Sequence, residues 1–138
     1  MRAILLCAAI LVVPLSADKN PVEAANAKSL ALAGKPAPAF TLPDLEGRPF
    51  SLADRRGHTI ILAFWGSWCP PCRAEMPMFA RLEKELAPDG VAVIPVAFDK
   101  AEKARAFLQK NRVELWSLLD ERGTVAALYG AHALPKRS

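Results

Sequence analysis

The clearest pattern along the chain is an apolar run, Thr59 to Trp65, followed at once by helical spacing. The run has the length and the branched composition of a buried strand, and Gly66 and Ser67 interrupt it. From Pro70 to Leu86, apolar side chains recur every three to four residues and predict one buried helix face. The members of this face are Met76, Phe79, Leu82 and Leu86. The pattern therefore predicts a strand, a tight loop and a helix in succession.

Further apolar segments downstream predict more strands and helices. Val91 to Phe98 is apolar on both faces, as an interior strand of a parallel sheet should be, although Pro95 is unusual in a paired strand. The next predicted helix fades near Asn111, and Thr124 to Tyr129 predicts a short one closed by a glycine. The apolar face of the first of these consists of Ala101, Ala104, Phe107 and Leu108. Trp116 to Leu119 fits a short strand or an extended connection. This alternation predicts an α/β fold with a parallel sheet covered on both faces.

The segments before the main strand are shorter and less apolar. Asp18 to Ala33 is rich in alanine and small polar residues and predicts a mobile linker. Phe40–Leu42 and Pro49–Leu52 predict two extended pieces on either side of a turn. One helical turn is expected at residues 51–56, ended by Gly57.

The chain begins with features of a secretory signal. Met1 and Arg2 precede an apolar stretch, Ala3 to Leu15, that is short for a membrane span. Cleavage is expected after Ala17 or after Ala27, and an uncleaved membrane anchor is the alternative. The predicted organisation is thus a signal and the start of a linker at residues 1–27, followed by one domain at residues 28–138.

Composition narrows the function classes. A length of 138 residues suits one domain with a single core, and the net charge of +4 is spread without a block of like charge. The sequence has no basic stripe interleaved with aromatic residues, the pattern that would indicate nucleic-acid binding. Of the three cysteines, Cys7 lies in the apolar leader, where it is expected to serve as a small apolar residue. An exported chain with only two remaining cysteines has no disulfide framework, which favours a chemical role for that pair.

The remaining pair, Cys69 and Cys72, stands at the predicted start of a helix. Two thiols three positions apart at this place share one face and can close a disulfide. The positive end of the helix dipole favours a thiolate at Cys69, which is therefore predicted to attack a disulfide. Cys72 lies one turn deeper, should be more buried, and is predicted to resolve the mixed disulfide. Pro70 and Pro71 are tolerated in the first turn and stiffen the connection.

A structural zinc site is the competing interpretation of two cysteines at this spacing. Such a site needs two further ligands at matched spacing, whereas the chain offers only Cys7 and two isolated histidines, His58 and His132. A copper metallochaperone that uses Cys69, Cys72 and a histidine is a second, non-enzymatic alternative.

The segment around the cysteines resembles a known family. Residues 64–77 read FWGSWCPPCRAEMP, residues 34–47 read GKPAPAFTLPDLEG, and Leu134-Pro135 follows downstream. These motifs resemble the redoxin, AhpC/TSA-like disulfide reductases of the bacterial cell envelope, the group that includes TlpA, ResA and the cytochrome c maturation thioredoxins. The resemblance covers nearly all of the chain beyond the leader.

The resemblance implies a fold, an activity and partners. The implied fold is thioredoxin-like with an N-terminal β-hairpin extension. The implied activity is that of a periplasmic or envelope thiol-disulfide oxidoreductase, which reduces disulfides of client proteins, for example in cytochrome c maturation. The redox-active Cys69–Cys72 disulfide takes the place of a cofactor, and no metal is implied. A membrane electron donor of the DsbD or CcdA type is the implied reductant. A peroxiredoxin, which shares the fold, needs a threonine where this chain has Gly66.

Three further residues, Trp68, Glu75 and Pro135, are expected to support the pair, whereas His132 is expected to be a surface histidine. Trp68 should shield the disulfide and offer a flat surface to a partner. Glu75 follows Cys72 by three positions, and a partly buried carboxylate there would exchange a proton with Cys72, whereas a solvated glutamate would not. Thioredoxins proper carry a buried acid where this chain has Ala63. Pro135 matches the cis-proline of the family, and His132 lies near it in sequence.

The resemblance stops soon after that proline. The family usually continues with a threonine, an antiparallel hairpin and a last helix, whereas this sequence reads Pro135-Lys136-Arg137-Ser138. We therefore expect a C-terminally incomplete domain in which Thr59 to Trp65 is an open apolar edge. An inert truncated product is the corresponding alternative function.

Overall fold

The computed structural model describes residues 27–131 and has two small sheets and three principal helices. The strands are β1 (Thr41–Pro43), β2 (Pro49–Ser51), β3 (Thr59–Trp65), β4 (Val91–Ala97) and β5 (Leu118–Leu119). The helices are α1 (Pro70–Leu86), α2 (Ala101–Lys110) and α3 (Thr124–Leu128), with 3₁₀ turns at Leu52–Arg55 and Ala87–Asp89. The predicted order of strands and helices is therefore confirmed.

The main sheet is parallel, with strand order β3-β4-β5. Thr59 pairs with Val91 and Trp65 with Ala97, so β3 and β4 run together over their full length. β5 adds a short pairing at the carboxyl end of β4. Within residues 27–131, β3 has one neighbouring strand, β4. The open apolar edge expected at β3 depends on residues outside this range and stays a prediction.

Pro95 lies in the middle of the central strand, although proline cannot donate to a ladder. The main-chain groups of successive strand residues point to opposite neighbours. The Phe98 N–H bonds to the Trp65 carbonyl on the β3 side, and the Ala97 carbonyl accepts from Asp120 on the β5 side. By this alternation the main-chain nitrogen of Pro95 is directed toward the β5 side. Because β5 begins pairing only at the next residue of β4, the missing N–H of Pro95 costs no ladder bond.

Apolar side chains on the two faces of the sheet form two clusters. On one face, α1 and α2 pack over Trp65 and Ala97 through Met76 and Phe107. On the other face, the β1–β2 hairpin and α3 pack over alternate strand residues, which include Ile94 and Val96 of β4 and Ile60, Leu62 and Phe64 of β3. The predicted apolar face of α1 is buried to different depths along the helix. Met76 is inaccessible, whereas Phe79, Leu82 and Leu86 are half-buried because α1 lies at the surface of its layer.

The N-terminal hairpin that the resemblance implies is present. β1 and β2 pair antiparallel around a turn in which Gly47 has a φ of 84°. Residues 27–31 are helical, so the linker predicted up to Ala33 is wrong at its end. Two hydrogen bonds tie this part of the chain to the end of α3. Ser29 Oγ donates to the Tyr129 carbonyl at 2.7 Å, and the Tyr129 hydroxyl donates to the Pro38 carbonyl at 2.6 Å.

Several predictions lie outside the described residues. They are the signal segment with its cleavage after Ala17, Cys7, His132, the cis bond of Pro135 and the expected C-terminal incompleteness. Among the residues that the structure describes, no helix is both long enough and apolar enough to cross a bilayer.

Candidate active site

The strand β3 leads through a short loop directly into the cysteine pair. β3 ends at Trp65, and Cys69 is the N-cap of α1 in an extended conformation. The Cys69 N–H donates to the Gly66 carbonyl at 3.1 Å and closes the loop. Pro70 occupies the first position of the helix, where a missing N–H has no intrahelical partner to lose. The strand, loop and helix predicted around this motif are therefore confirmed.

Cys69 and Cys72 form a disulfide across the first turn of α1. Their Cα atoms lie 5.3 Å apart, within the range that a disulfide requires. The Cys72 N–H points at Cys69 Sγ, with N and S separated by 3.4 Å. This N–H is one of the helix donors without an intrahelical partner, so positive charge is directed at the first sulfur.

Both cysteines are almost equally buried, with 5% of Cys69 and 7% of Cys72 exposed. The prediction that Cys72 is the more buried residue is wrong. The reason is that both belong to the same apolar cluster as Leu45, Trp65 and Met76. In the oxidised state, therefore, the bonded pair is covered, and Pro70 and Pro71 on its flank are exposed.

Trp68 stands beside the pair, and Phe98 holds its indole through a hydrogen bond and a ring contact. Its Nε1 donates to the Phe98 carbonyl at 3.0 Å, and its ring meets the Phe98 ring edge-on at 6.2 Å. The indole lies over Gly66, where an added Cβ would come within 2.5 Å of Nε1. A larger residue at this position would therefore push the indole out of its place. The half-buried Trp68 covers the loop before Cys69 and anchors it to the end of β4. Its shielding of the disulfide and its contact with a partner stay predictions.

Asp99 is a site residue that the sequence analysis missed. It follows β4, and its Oδ2 accepts from the Ser67 N–H at 2.9 Å and from the Ser67 hydroxyl. Its Oδ1 accepts from the Lys100 N–H at 2.8 Å. A usable signal was present, since the carboxyl ends of parallel strands meet at one sheet edge and Asp99 directly follows the second buried strand.

The other predicted supporting residues are placed less closely. Glu75 lies in the second turn of α1 and is exposed, so of the two positions considered for it the solvated one is observed. Its exchange of a proton with Cys72 stays a prediction. Ala63 is buried in β3. His58 is exposed and precedes the amino end of β3, so the seven-residue strand separates it from the dithiol by roughly 20 Å.

The tip of the β1–β2 hairpin contributes to the apolar cover of the pair. Leu45 is held there by its N–H, which donates to the Ser117 carbonyl, and by its carbonyl, which accepts from Arg105 at 2.7 Å. Burial of the neighbouring Asp44 opposes ionisation. Hydrogen bonds from the Arg48 main chain and side chain and from the Glu46 N–H outweigh that effect and hold the pKa of Asp44 below its ordinary value.

Across residues 27–131, no three His, Cys, Asp or Glu side chains lie together in a group that could hold a metal ion. The arrangement at Cys69 and Cys72 is a dithiol–disulfide pair at the start of a helix, delivered by a strand of a parallel sheet.

A dithiol in this setting, together with the N-terminal hairpin, defines an α/β protein of the thioredoxin-like fold. Solved structures support this class. A thiol:disulfide interchange protein DsbE from Chlorobium tepidum superposes with a TM-score of 0.63 and 35% identity, over 68% of this chain and 67% of that one. A secreted Mycobacterium tuberculosis disulfide oxidoreductase, described as homologous to E. coli DsbE, gives 0.58 and 31%, over 65% and 66%.

Sequence comparison gives the family. The family model described as AhpC/TSA matches residues 33–138, and the chain belongs to this family. It is 41% identical over 106 residues to the thioredoxin-like protein YneN of Bacillus subtilis, covering 74% of this chain and 61% of that protein. It is 36% identical over 109 residues to the thiol-disulfide oxidoreductase ResA of Halalkalibacterium halodurans, covering 78% and 62%. The chain thus spans about three fifths of the length of these two relatives. The predicted family resemblance is confirmed.

Proposed function

We propose that the chain is an envelope thiol-disulfide oxidoreductase that reduces disulfides of client proteins through Cys69 and Cys72. The observation that carries the proposal is the closed pair at the amino end of α1, with the Cys72 N–H directed at Cys69 Sγ. Relatives that are named ResA and DsbE support the same reaction class.

The first step uses the reduced protein. The Cys69 thiolate, favoured by the helix N-terminus, attacks one sulfur of a client disulfide. A bond forms between Cys69 and that client sulfur, the client disulfide breaks, and the second client sulfur leaves as a thiolate. The product is a mixed disulfide, and the leaving thiolate takes up a proton from water.

The second step releases the client. The Cys72 thiol loses its proton, and its thiolate attacks Cys69 Sγ, so the mixed disulfide breaks and the intramolecular one forms. The client leaves with two reduced cysteines, and the protein has supplied two electrons. An external dithiol must then reduce the pair, and a membrane donor of the DsbD or CcdA type is the proposed source.

The groups around the pair suit an extended client segment. Pro70 and Pro71 are exposed next to the disulfide, and the partly exposed indole of Trp68 gives a flat apolar surface beside it. Clients in cytochrome c maturation, and an exported location, follow from the family resemblance and are part of the proposal. Pro135 is proposed to present its main chain to the same segment.

The test is the reduction of insulin by the purified full chain in the presence of dithiothreitol. Wild-type protein should accelerate precipitation of the insulin B chain, and Cys69→Ser should lower the rate by about a hundredfold or more because the attacking thiolate is gone. Cys72→Ser should instead accumulate a mixed disulfide between Cys69 and the client, since the resolving thiol is absent.

The two single variants serve as controls for each other. A mixed disulfide trapped through Cys72 in the Cys69→Ser variant would reverse the assigned roles. Wild-type protein that exchanges no faster than the double serine variant would contradict the proposed activity itself.

A further inference from the structure

Among residues 27–131 three carboxylates are buried, those of Asp44, Asp99 and Asp120. Asp44 and Asp120 each accept main-chain N–H groups from residues two to six positions further along the chain. Asp99 differs from these two because its Oδ2 bonds to a residue 32 positions earlier, in the loop that leads to the dithiol. Asp99 therefore joins two segments that are distant in sequence, whereas the other two carboxylates bond locally.

The Asp99 carboxylate is fully engaged. It is 9% exposed, its Oδ2 accepts both the N–H and the hydroxyl of Ser67, and its Oδ1 accepts the Lys100 N–H. Charge-assisted hydrogen bonds of this kind are about twice as strong as neutral ones. The connection between β3 and α1 is therefore attached to the segment between β4 and α2.

Neighbouring contacts reinforce the same attachment. The Phe98 N–H donates to the Trp65 carbonyl at 2.8 Å, and Trp68 Nε1 donates to the Phe98 carbonyl. Residues 65, 67 and 68 are thus each bonded to residues 98 or 99, and Cys69 is the next residue along the chain. The position of Cys69 relative to the sheet follows from these bonds.

We propose that Asp99 is a positioning residue of the dithiol: through Ser67 it holds Cys69 where Cys72 can close the ring. The proposal rests on the thiol-disulfide chemistry proposed above. Ring closure is intramolecular, so its equilibrium depends on how well the two sulfurs are oriented before they bond. The initial attack of Cys69 on an external disulfide does not need that orientation.

A loosened loop should therefore weaken the intramolecular disulfide relative to an external one. We expect Asp99→Asn to lower the equilibrium constant for ring closure about tenfold, which for this two-electron couple raises the reduction potential by about 30 mV. The measurement is the fraction of oxidised full-length protein in glutathione redox buffers, read after acid quench and alkylation.

Asp120→Asn is the matched control. It removes a charge of the same sign and a buried carboxylate that also accepts two main-chain N–H groups, but at the start of α3. It should lower the melting temperature, as Asp99→Asn does, and leave the reduction potential at the wild-type value. Equal potentials for Asp99→Asn and Asp120→Asn would overturn the proposal.

Variants of Ser67 separate positioning from charge and keep the test open if Asp99→Asn fails to fold. Ser67→Ala keeps the Asp99 charge and removes one hydrogen bond, so we expect ring closure to weaken about threefold, consistent with the loss of one such bond. Ser67→Thr restores the hydroxyl and should restore the potential. A wild-type potential in both Ser67→Ala and Asp99→Asn would overturn positioning, whereas a wild-type potential in Ser67→Ala alone would assign the attachment to the Ser67 N–H, which this variant keeps.

Failure of this inference is distinguishable from failure of the proposed function. Wild-type protein that does not reduce insulin would contradict the function, whereas its glutathione equilibrium would still report the stability of the Cys69–Cys72 bond. An unchanged equilibrium in the Ser67 and Asp99 variants, with normal insulin reduction by wild type, would contradict only the positioning role.

Discussion

The two ends of β3 differ sharply in how they are held. At the carboxyl end, the loop from Gly66 to Cys69 is bonded to Phe98 and Asp99 and covered by a half-buried indole. At the amino end, Gly57 has a φ of 85° with open space where a Cβ would lie, and the adjacent His58 is exposed. One strand thus joins a constrained loop to an open one.

An open groove of about 660 Å³ lies at the amino end of the strand. Its lining includes Ile60 and Leu62 of β3 with Tyr129, and Arg55 and Arg56 stand at the preceding turn. The two loops that flank β3 are therefore held to different degrees, although one strand connects them. Hydrogen bonds and burial are concentrated at the end where the reacting sulfurs are.

The largest expected effect comes from the core below the dithiol. Met76 is inaccessible to solvent and belongs to the same cluster as Cys69 and Cys72, so Met76→Ala should leave a cavity and lower the free energy of unfolding by about 2–5 kcal/mol. The measurement is urea unfolding of the oxidised full-length chain.

Leu86→Ala is the comparison at the other end of α1, close to where β4 begins. Leu86 is half-buried, so its truncation should cost only about 1 kcal/mol. Equal losses in the free energy of unfolding for Met76→Ala and Leu86→Ala would show that packing does not differ between the two ends of α1.

A pair of glycine substitutions sharpens the comparison with a smaller effect. Gly66→Ala places a Cβ 2.5 Å from Trp68 Nε1, so the indole must move away from the Phe98 carbonyl, at a cost of about 1–3 kcal/mol. Because the moved indole loosens the loop before Cys69, insulin reduction should slow as well. Thermal unfolding and the insulin assay measure the two effects.

Gly57→Ala tests a different physical cause at the amino end. The new Cβ meets open space, so only the left-handed backbone is strained, at about 1 kcal/mol. Insulin reduction should be unchanged. A Gly57→Ala variant that slows the exchange as much as Gly66→Ala does would remove the distinction between the two ends.

The sequence predicted β3, α1 and the dithiol because their signals are local. The apolar run from Thr59 to Trp65 and the helical spacing after Pro70 each lie within one continuous segment. The hairpin and the thioredoxin-like class depended on family resemblance, since strands of three residues carry little periodicity of their own.

The contacts that the sequence did not predict are long-range. The bond from Ser67 to Asp99 joins residues 32 apart, and the carbonyl of Leu45 accepts from Arg105 across 60 positions. The equal burial of Cys69 and Cys72 was missed for the same reason, because Leu45 of the hairpin helps to form their common apolar cluster. Spacing within α1 reports depth along one helix only and carries no information about a segment that packs over it.

The smallest expected effect is a pH dependence at the hairpin tip that holds Leu45. The pKa of Asp44 is lowered in the folded protein, since hydrogen bonds from Arg48 and Glu46 outweigh the opposing effect of burial. A depressed carboxyl pKa stabilises the fold at pH values above 3.8, the ordinary pKa of the group. This contribution is lost as the pH falls through the lower pKa of the folded state.

Asp44→Asn should therefore lower the melting temperature at neutral pH and make the loss of stability below about pH 5 less steep. Glu46→Gln is the matched control, because Glu46 is exposed in the same turn and meets Arg48 only at 3.6 Å. It should leave the acid limb of the stability curve as in wild type. Thermal unfolding of all three proteins from neutral to acid pH is the measurement. Parallel curves for Asp44→Asn and wild type would mean that protonation of Asp44 does not contribute to the loss of stability in acid.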